Sequence, residues 1–288
     1  DGADLVIGSN GTLVLGNFSL TLQQIMLLNN GATISNANDF SSHSLAGAQT
    51  WLGTINLNVY TGAQIYFDGV VTGGTTVTIN KAGAGDLIFT QSNTFNGAAN
   101  ITNVNDGALI LANNDALGDN SPLTLMTINL ASTATLQLFG SNITAQYDVT
   151  LSDGAAILDA STAGDNTLSG HVTFGTGNTV TITDALGSLT FSGLVSGNSA
   201  VSLTKLGDGL LIMNNTTDGT FAGTFDAQVG QVRVTNSSAL GGSGMAVNVT
   251  SGAAVHLLGT SLTLSNNFTL NGTGIGGTGA LIDDSVGS

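Results

Sequence analysis

A long internal repeat constrains the fold of this 288-residue chain more than any other feature. Residues 81–88 read KAGAGDLI, and residues 205–212, which lie 124 positions later, read KLGDGLLI. Residues 66–73 align with residues 190–197 at the same offset. Self-similarity at a fixed period is the signature of repeat architectures, in which each unit buries its apolar face against the next unit. The chain therefore holds a little over two copies of one long unit.

Two further segments repeat at an offset that is shorter by one residue. The Ala-Leu-Gly of residues 116–118 returns at 239–241, and Asn-Gly-Ala-Thr-Ile at 30–34 returns as Asp-Gly-Ala-Ala-Ile at 153–157. The repeat thus extends over most of the chain. We expect residues 1–288 to form a single continuous segment of a longer protein, built from super-repeats of about 124 residues.

Within each copy, apolar residues alternate with small or polar residues over three to five positions. This period is typical of short, half-buried β-strands. The alternating pairs are Leu13 and Leu15, Leu20 and Leu22, Leu136 and Leu138, Val180 and Ile182, Leu189 and Phe191, Val201 and Leu203, and Val232 and Val234. Residues 20–28 could form a short helix by their spacing, but their counterpart at 145–151 favours a strand.

Frequent glycine corners separate these strands. Asn-Gly and Asp-Gly dipeptides supply the positive φ that tight corners need. They occur at Asn10-Gly11, Asn30-Gly31, Asp68-Gly69, Asp106-Gly107, Asp153-Gly154, Asp208-Gly209, Asp218-Gly219 and Asn271-Gly272. The competing interpretation is that each dipeptide forms the turn of a β-hairpin.

The regular long-range repeat, the shortness of the strands and the small corner residues favour stacked coils over hairpins. We therefore predict an all-β chain that forms a right-handed parallel β-helix (β-solenoid), an elongated rod of roughly a dozen coils. With roughly 20–25 residues per coil and a spacing of about 4.8 Å, the rod would be on the order of 60 Å long. We expect a core of stacked Leu, Ile, Val and Phe, and ladders of equivalent Asn and Thr side chains.

The composition supports this fold and disfavours several classes of partner. Only 7% of the residues are charged and Glu is absent, so strong helix formers are scarce. A net charge of −15 with only three Lys and Arg residues leaves no basic footprint for a nucleic acid, and it disfavours anionic membrane surfaces. No apolar run approaches about 18 residues, so we expect no membrane insertion. The absence of Cys excludes disulfides and thiolate metal sites and is compatible with export.

Two segments, residues 77–118 and 203–241, resemble the passenger-associated repeat of autotransporters. That pattern reads Leu-x-Lys-x-Gly-x-Gly-x-Leu-x-Leu, then Asn-Thr-aromatic-x-Gly, then a Gly-x-Leu strand that ends in Ala-Leu-Gly. The first copy matches at Lys81, Gly83, Gly85, Asn93, Thr94, Phe95, Gly97, Gly107, Ala116, Leu117 and Gly118. The second copy matches at Lys205, Gly207, Gly209, Phe221, Gly223, Gly230, Ala239, Leu240 and Gly241, with Asp-Gly-Thr where Asn-Thr is usual. The resemblance implies an autotransporter-like passenger domain, a β-helix that bacteria secrete and display at the cell surface.

We find no pattern of residues that predicts a catalytic, cofactor-binding or metal site. Lys81 and Lys205 occupy equivalent positions of the repeat, which favours a structural role in which the side-chain stem covers a turn. Arg233 stands alone on a predicted strand and is interpreted as a surface or partner-contact residue. We therefore predict no enzymatic activity, no cofactor and no bound metal.

The histidines, the acidic C-terminal pair and the aromatic residues are likewise interpreted without a ligand site. His43, His171 and His256 lack the spacing of a metal site and are interpreted as surface or turn residues. Residues 276–284 contain Gly-Gly-x-Gly followed by Asp283-Asp284, a misspaced and single version of a calcium-binding solenoid repeat. A single Trp argues against a sugar-binding aromatic face, so core or corner packing is expected for Trp51, Tyr60, Tyr66 and Tyr147.

These observations favour an extracellular structural or adhesive scaffold at the bacterial cell surface, namely the β-helical shaft of an autotransporter-like protein. Its expected partners are further solenoid coils of the same protein, which would cover the exposed coil ends, and a host or matrix surface. One alternative is the subunit of a self-assembling extracellular filament or sheath, whose partners are other copies of the chain. A carbohydrate-active β-helix enzyme is the third hypothesis and would need clustered carboxylates beside a basic residue.

Overall fold

A computed structural model describes residues 4–16, 18–36, 40–95, 100–118, 126–197, 200–218, 220–259 and 261–284. The described residues form β-strands and one short 3₁₀ turn at Ile275–Gly277, and they contain no α-helix. Their strands stack as parallel sheets in a β-solenoid of about 12 turns, which confirms the predicted all-β solenoid. No helix of the described part is long and apolar enough to cross a membrane.

The chain divides into two compact units, one formed by 1–137 with 145–148 and the other by 138–144 with 149–288. The first fifteen strands are β1 (Leu5–Ile7), β2 (Thr12–Leu15), β3 (Leu20–Leu22), β4 (Met26–Leu28), β5 (Ala32–Asn36), β6 (Ser42–Leu45), β7 (Gln49–Asn58), β8 (Gln64–Phe67), β9 (Val71–Ala82), β10 (Asp86–Phe89), β11 (Thr94–Phe95), β12 (Ile101–Val104), β13 (Gly107–Leu111), β14 (Thr127–Leu130) and β15 (Ala134–Leu138).

The remaining strands of the described residues are on average shorter than the first fifteen, and corners separate them in the same way. They are β16 (Thr144–Ala145), β17 (Asp148–Leu151), β18 (Ala156–Asp159), β19 (Asp165–Leu168), β20 (Val172–Phe174), β21 (Asn178–Ile182), β22 (Ser188–Phe191), β23 (Leu194–Gly197), β24 (Val201–Leu206), β25 (Leu210–Met213), β26 (Thr216–Thr217), β27 (Gly223–Ala227), β28 (Gly230–Val234), β29 (Met245–Val249), β30 (Ala253–Leu257), β31 (Asn267–Leu270) and β32 (Leu281–Asp283).

Strands pair in parallel with the strands that lie one coil later in the chain. In the first unit, Leu5 pairs with Met26, so this coil is 21 residues long. In the second unit, Val255 pairs with Leu281, which is a coil of 26 residues. The coil length is therefore close to the predicted value, and it varies because the corners differ in length.

The hairpin alternative is excluded for the strands on either side of Asn30-Gly31. Both β4 and β5 pair in parallel with β7, one coil later, rather than with each other. The predicted strand at residues 20–28 is present as two strands, β3 and β4, with a break at residues 23–25. The break places the two strands in different sheets.

Apolar residues stack on apolar residues inside both units, as predicted for the core. In the first unit, Leu45, Phe67, Phe89 and Leu111 pair in register from coil to coil and are fully buried. Burial of each such side chain stabilises the fold by roughly 1.5–3 kcal/mol relative to exposure. The corresponding column of the second unit is Leu168, Phe191, Met213 and Val234.

An asparagine ladder confirms that equivalent polar residues also stack. Asn56, Asn80, Asn103 and Asn129 pair in register in the first unit. Each side-chain amide nitrogen donates to the amide oxygen of the preceding Asn, over 3.1, 3.0 and 3.0 Å. The ladder repeats one hydrogen bond at every coil, so it fixes the register on a half-buried face.

The corner glycines serve two different purposes. Positive φ is confirmed at Gly31, Gly107, Gly154 and Gly272, whereas Gly219 lies outside the described residues. At the first corner, Asn10 itself has the positive φ. Gly69 and Gly209 have no positive φ, but a Cβ there would lie 2.0 Å from the Gly47 carbonyl oxygen and 2.5 Å from that of Asp184. These two corners therefore need glycine because the neighbouring coil approaches closely.

Gly207 combines both constraints, so Gly207→Ala should destabilise the protein strongly. Its φ is +76°, and a Cβ would lie 2.1 Å from the carbonyl oxygen of Ile182. We expect a loss of at least about 2 kcal/mol in the free energy of unfolding, measured by urea denaturation. The matched control is Gly242→Ala, where a Cβ meets no atom within 4 Å and the change should stay within about 0.5 kcal/mol. Equal losses in the two variants would contradict the packing of this corner.

Candidate functional site

The two lysines that are equivalent in the repeat are fully buried and form matching clamps across neighbouring coils. The Nζ of Lys205 donates to the carbonyl oxygens of Leu206, Gly207 and Val229 at 2.9, 2.7 and 2.9 Å. Val229 belongs to the coil that follows, because Lys205 pairs with Ala227. The ammonium group therefore ties a glycine corner to the next coil.

Lys81 makes the same arrangement in the first unit. Its Nζ donates to the carbonyl oxygens of Gly83 at 2.5 Å and Asp106 at 2.7 Å. Burial lowers the pKa of Lys81 and of Lys205 to about 8, and nearby carboxylates of Asp106 and Asp208 act in the opposite direction. The predicted role of the stem was incomplete, because the ammonium group makes the decisive contacts.

Arg233 is the third of the three Lys and Arg residues of the sequence, and its environment differs from that of the two lysines. It lies on β28, half-buried, between Ile212 on the preceding coil and His256 on the following one. Its guanidinium makes no hydrogen bond or ion pair with any residue that the structure describes, and its buried Nε has no acceptor there. Such a donor costs free energy unless an acceptor is supplied.

A groove of about 450 Å³ lies beside Arg233 in the second unit. We call it the arginine groove. It is lined by residues of β19, β22, β25 and β28 and by residues of the corners that precede β22 and β25, which we call its rim. Its lining residues are Asp165, Ala185, Leu186, Gly187, Ser188, Thr190, Asp208, Leu210, Ile212, Gln231 and Arg233.

The arginine groove contains both positively and negatively charged side chains. Arg233 supplies guanidinium donors, and Gln231 supplies an amide. Asp165 accepts a hydrogen bond from the Ser188 hydroxyl at 2.7 Å, and Asp208 lies on the rim. The groove can thus offer charged donors to one part of a ligand and carboxylate acceptors to another part.

The histidines have three different environments, and the surface interpretation is wrong for His43. This residue is fully buried on β6, its Nε2 lies 3.0 Å from the Ser41 hydroxyl, and burial lowers its pKa. The Nε2 of His171 lies 2.6 Å from the Ser196 hydroxyl on the next coil. The Nδ1 of His256 lies 2.6 Å from a carboxylate oxygen of Asp284.

The structure does not assemble a metal site from the described residues. No group of three or more His and Asp side chains among them is close enough to hold an ion. Asp284 of the misspaced glycine segment contacts His256. Asp159 is fully buried. One of its carboxylate oxygens accepts hydrogen bonds from Ser161 and Asn166, and the other has no partner among the described residues. Burial raises the pKa of this carboxyl group.

The aromatic residues do not form a shared exposed face. Trp51 and Tyr147 are buried, whereas Tyr60 is 45% exposed. The Trp51 ring packs against Phe67 at 4.9 Å and Phe95 at 5.5 Å between ring centroids. Trp51 therefore belongs to the core.

The second passenger-like motif, residues 203–241, contains an asparagine that its sequence alignment with the first motif, residues 77–118, did not identify. In the first copy, the Asn93 side-chain amide donates to the Ala116 carbonyl oxygen at 2.6 Å. In the second copy, the buried Asn215 donates to the Ala239 carbonyl oxygen at 3.0 Å. Asn215-Thr216 thus takes the place of Asn93-Thr94, at an offset of 122 residues, and the motif position Gly97 lies outside the described residues.

No family model matches the chain, and neither a curated protein nor a solved structure is significantly similar to it.

The lysine clamp predicts that Lys205→Met will destabilise the protein, although the methionine stem has a similar shape. The substitution leaves three carbonyl oxygens without their charged donor, and we expect a loss of about 2 kcal/mol in the free energy of unfolding. Arg233→Met is the matched control, because it removes the same charge from a group that donates to no carbonyl oxygen of the described residues. It should not lower the free energy of unfolding, measured by urea denaturation, because it leaves no carbonyl oxygen without a donor and removes an unsatisfied buried donor.

The burial of Lys205 predicts a dependence on pH. Because the pKa of Lys205 is about 8 in the folded protein and 10.5 ordinarily, the unfolded chain binds more protons between these values. The free energy of unfolding attributable to Lys205 therefore rises with pH across this window. The difference in stability between the wild type and Lys205→Met should grow from pH 8 to pH 10. A constant difference would show that the lysine titrates normally.

Proposed function

We propose that this chain is a segment of an extracellular structural or adhesive scaffold, the β-helical shaft of a surface-displayed autotransporter-like protein. The observation that carries the proposal is the parallel, in-register stacking of coils of 21–26 residues in each unit. In such a fold, each coil satisfies its backbone hydrogen bonds on its neighbours, so length increases by copying a unit without a new core. A scaffold role needs this property and needs no catalytic group.

The passenger-like motif supports the proposal because its residues have clear structural tasks. Lys205 holds the glycine corner, and Asn215 holds the carbonyl oxygen of Ala239 in the Ala-Leu-Gly segment. Equivalent contacts occur at Lys81 and Asn93 in the first copy. The resemblance therefore rests on residues that build a coil, which is what a shaft requires.

The first described coil supports the proposed partners. Its apolar side chains Val6, Val14, Phe18 and Leu20 are between 43% and 87% exposed. Apolar side chains on an unpaired edge favour association with another strand-bearing surface. We propose that further solenoid coils of the same protein cover them. The filament alternative, in which a second copy of the chain covers them, is favoured by the same observation.

Immunogold labelling of the cells that make this protein tests the proposed location. An antibody against the chain should label intact cells at their outer surface, and external proteinase K should remove the label. A cytoplasmic protein should stay unlabelled and undigested in the same preparation. Label that requires permeabilised cells would contradict a surface scaffold.

Electron microscopy of the purified chain separates the shaft from the filament. A single continuous solenoid of about 12 turns should give separate particles on the order of 60 Å long at about 4.8 Å per coil. Long fibres of uniform width would favour the filament alternative.

A further inference from the structure

We propose that the arginine groove binds a sugar acid, that is, a saccharide unit that bears one carboxylate and several hydroxyl groups. A shaft needs no ligand site, so this binding activity goes beyond the proposed scaffold role. The proposal rests on the unpaired guanidinium, on the smaller side chains of the second copy and on the other charged residues that line the groove.

The guanidinium of Arg233 defines the anionic part of the ligand. The chain has three Lys and Arg residues, and the two lysines are buried and engaged by carbonyl oxygens, so Arg233 is the one left for a ligand. It lines the groove and is half-buried, and its guanidinium has no hydrogen-bond partner among the described residues. The Nε is itself buried, so the terminal Nη groups are the donors that a ligand can reach. A planar carboxylate matches the fork of guanidinium N–H donors and can accept two of them at once.

Comparison of the two copies shows how the groove is opened. The outward positions of β8 in the first copy hold Gln64 and Tyr66, and the Tyr66 hydroxyl donates to the Gln64 amide oxygen at 2.9 Å. The equivalent positions of β22, 124 residues later, hold Ser188 and Thr190, which line the groove. The smaller side chains leave the space that a tyrosine and a glutamine occupy in the first copy.

The second copy also has polar residues in the groove where the first copy has a small and an apolar residue. Gln231 and Arg233 of β28 stand where β13 of the first copy has Ala108 and Ile110. The inward positions of both strands remain apolar and buried. The fold therefore accepts small or apolar residues at these outward positions and does not itself require Arg or Gln. Recognition of a ligand is a physical reason for both changes.

The two Asp residues of the groove disfavour a ligand with several negative charges, because the repulsion grows with the charge of the ligand. Asp165 and Asp208 line the same groove and would repel a polyanion, whereas they can accept hydrogen bonds from hydroxyl groups. Leu186 on the rim is 80% exposed, which offers an apolar surface to the C–H face of a sugar ring. A sugar acid has the required carboxylate, hydroxyl groups and apolar face in one unit.

The chain contains one arginine, so its Nε–H signal can be assigned without ambiguity by nitrogen-15 NMR. We expect methyl β-D-glucuronide to shift this signal saturably, with a dissociation constant on the order of 1 mM because the contact area is small. Methyl β-D-glucoside, which lacks the carboxylate, and sodium acetate, which lacks the ring, should cause much smaller shifts. No saturable shift with the glucuronide, or an equal shift with either control, would overturn the proposal.

The site can be tested with substitutions that introduce the residues found at the equivalent positions of the first copy. The same coil geometry holds those residues there, so the variants should fold. Arg233→Ile copies Ile110, and Thr190→Tyr copies Tyr66. Each should weaken glucuronide binding at least about tenfold in isothermal titration, since the first removes the charged donor and the second fills the groove. Thr204→Val, on the outward face of another sheet, should bind like the wild type. Unchanged affinity in both groove variants, with unchanged circular dichroism spectra, would place binding elsewhere and overturn the proposal.

Discussion

The structure depends on one constraint, namely that strands lie parallel to and in register with the strands one coil later. The backbone N–H and C=O groups of a strand find their partners in the neighbouring coils, so a strand residue is stacked on a residue 21 to 26 positions away. Stacked positions share one environment, and therefore Phe67 lies on Phe89 and Asn80 on Asn56. A long super-repeat is the expected consequence in the sequence, because several coils can be copied together without losing any partner.

The corners limit how this stacking can be achieved. Where a coil turns, its carbonyl oxygens lose their strand partners and must be satisfied locally. Lys205 does so with a buried ammonium group that bonds to two coils, and Gly207 and Gly209 keep the chain close enough for those bonds. The lysine and the glycines of the passenger-like motif are therefore parts of one arrangement. This explains why they recur together in both copies of a chain that has almost no other cations.

Much of the fold could be predicted from the sequence, because strand period, corner glycines and repeat length are local or periodic signals. The ammonium contacts of Lys205 and the burial of His43 could not, because each depends on carbonyl or hydroxyl groups placed by the fold. The arginine groove was missed for a related reason. Residues such as Asp165, Ser188 and Arg233 are distant in sequence and meet because successive coils stack. The available signal was the replacement of Gln64 and Tyr66 by smaller residues in the second copy.

Cysteine-directed spin labelling tests the parallel register most directly, since the chain has no native Cys. Thr179, Thr204 and Asp226 occupy successive coils at one position of the same sheet, and each faces outward. Nitroxide labels at 179 and 204 should lie about 5 Å apart at the backbone and give strong dipolar broadening, whereas labels at 179 and 226 should lie about 10 Å apart and give weaker broadening. Equal broadening in the two pairs, or its absence in the pair 179 and 204, would contradict the in-register solenoid.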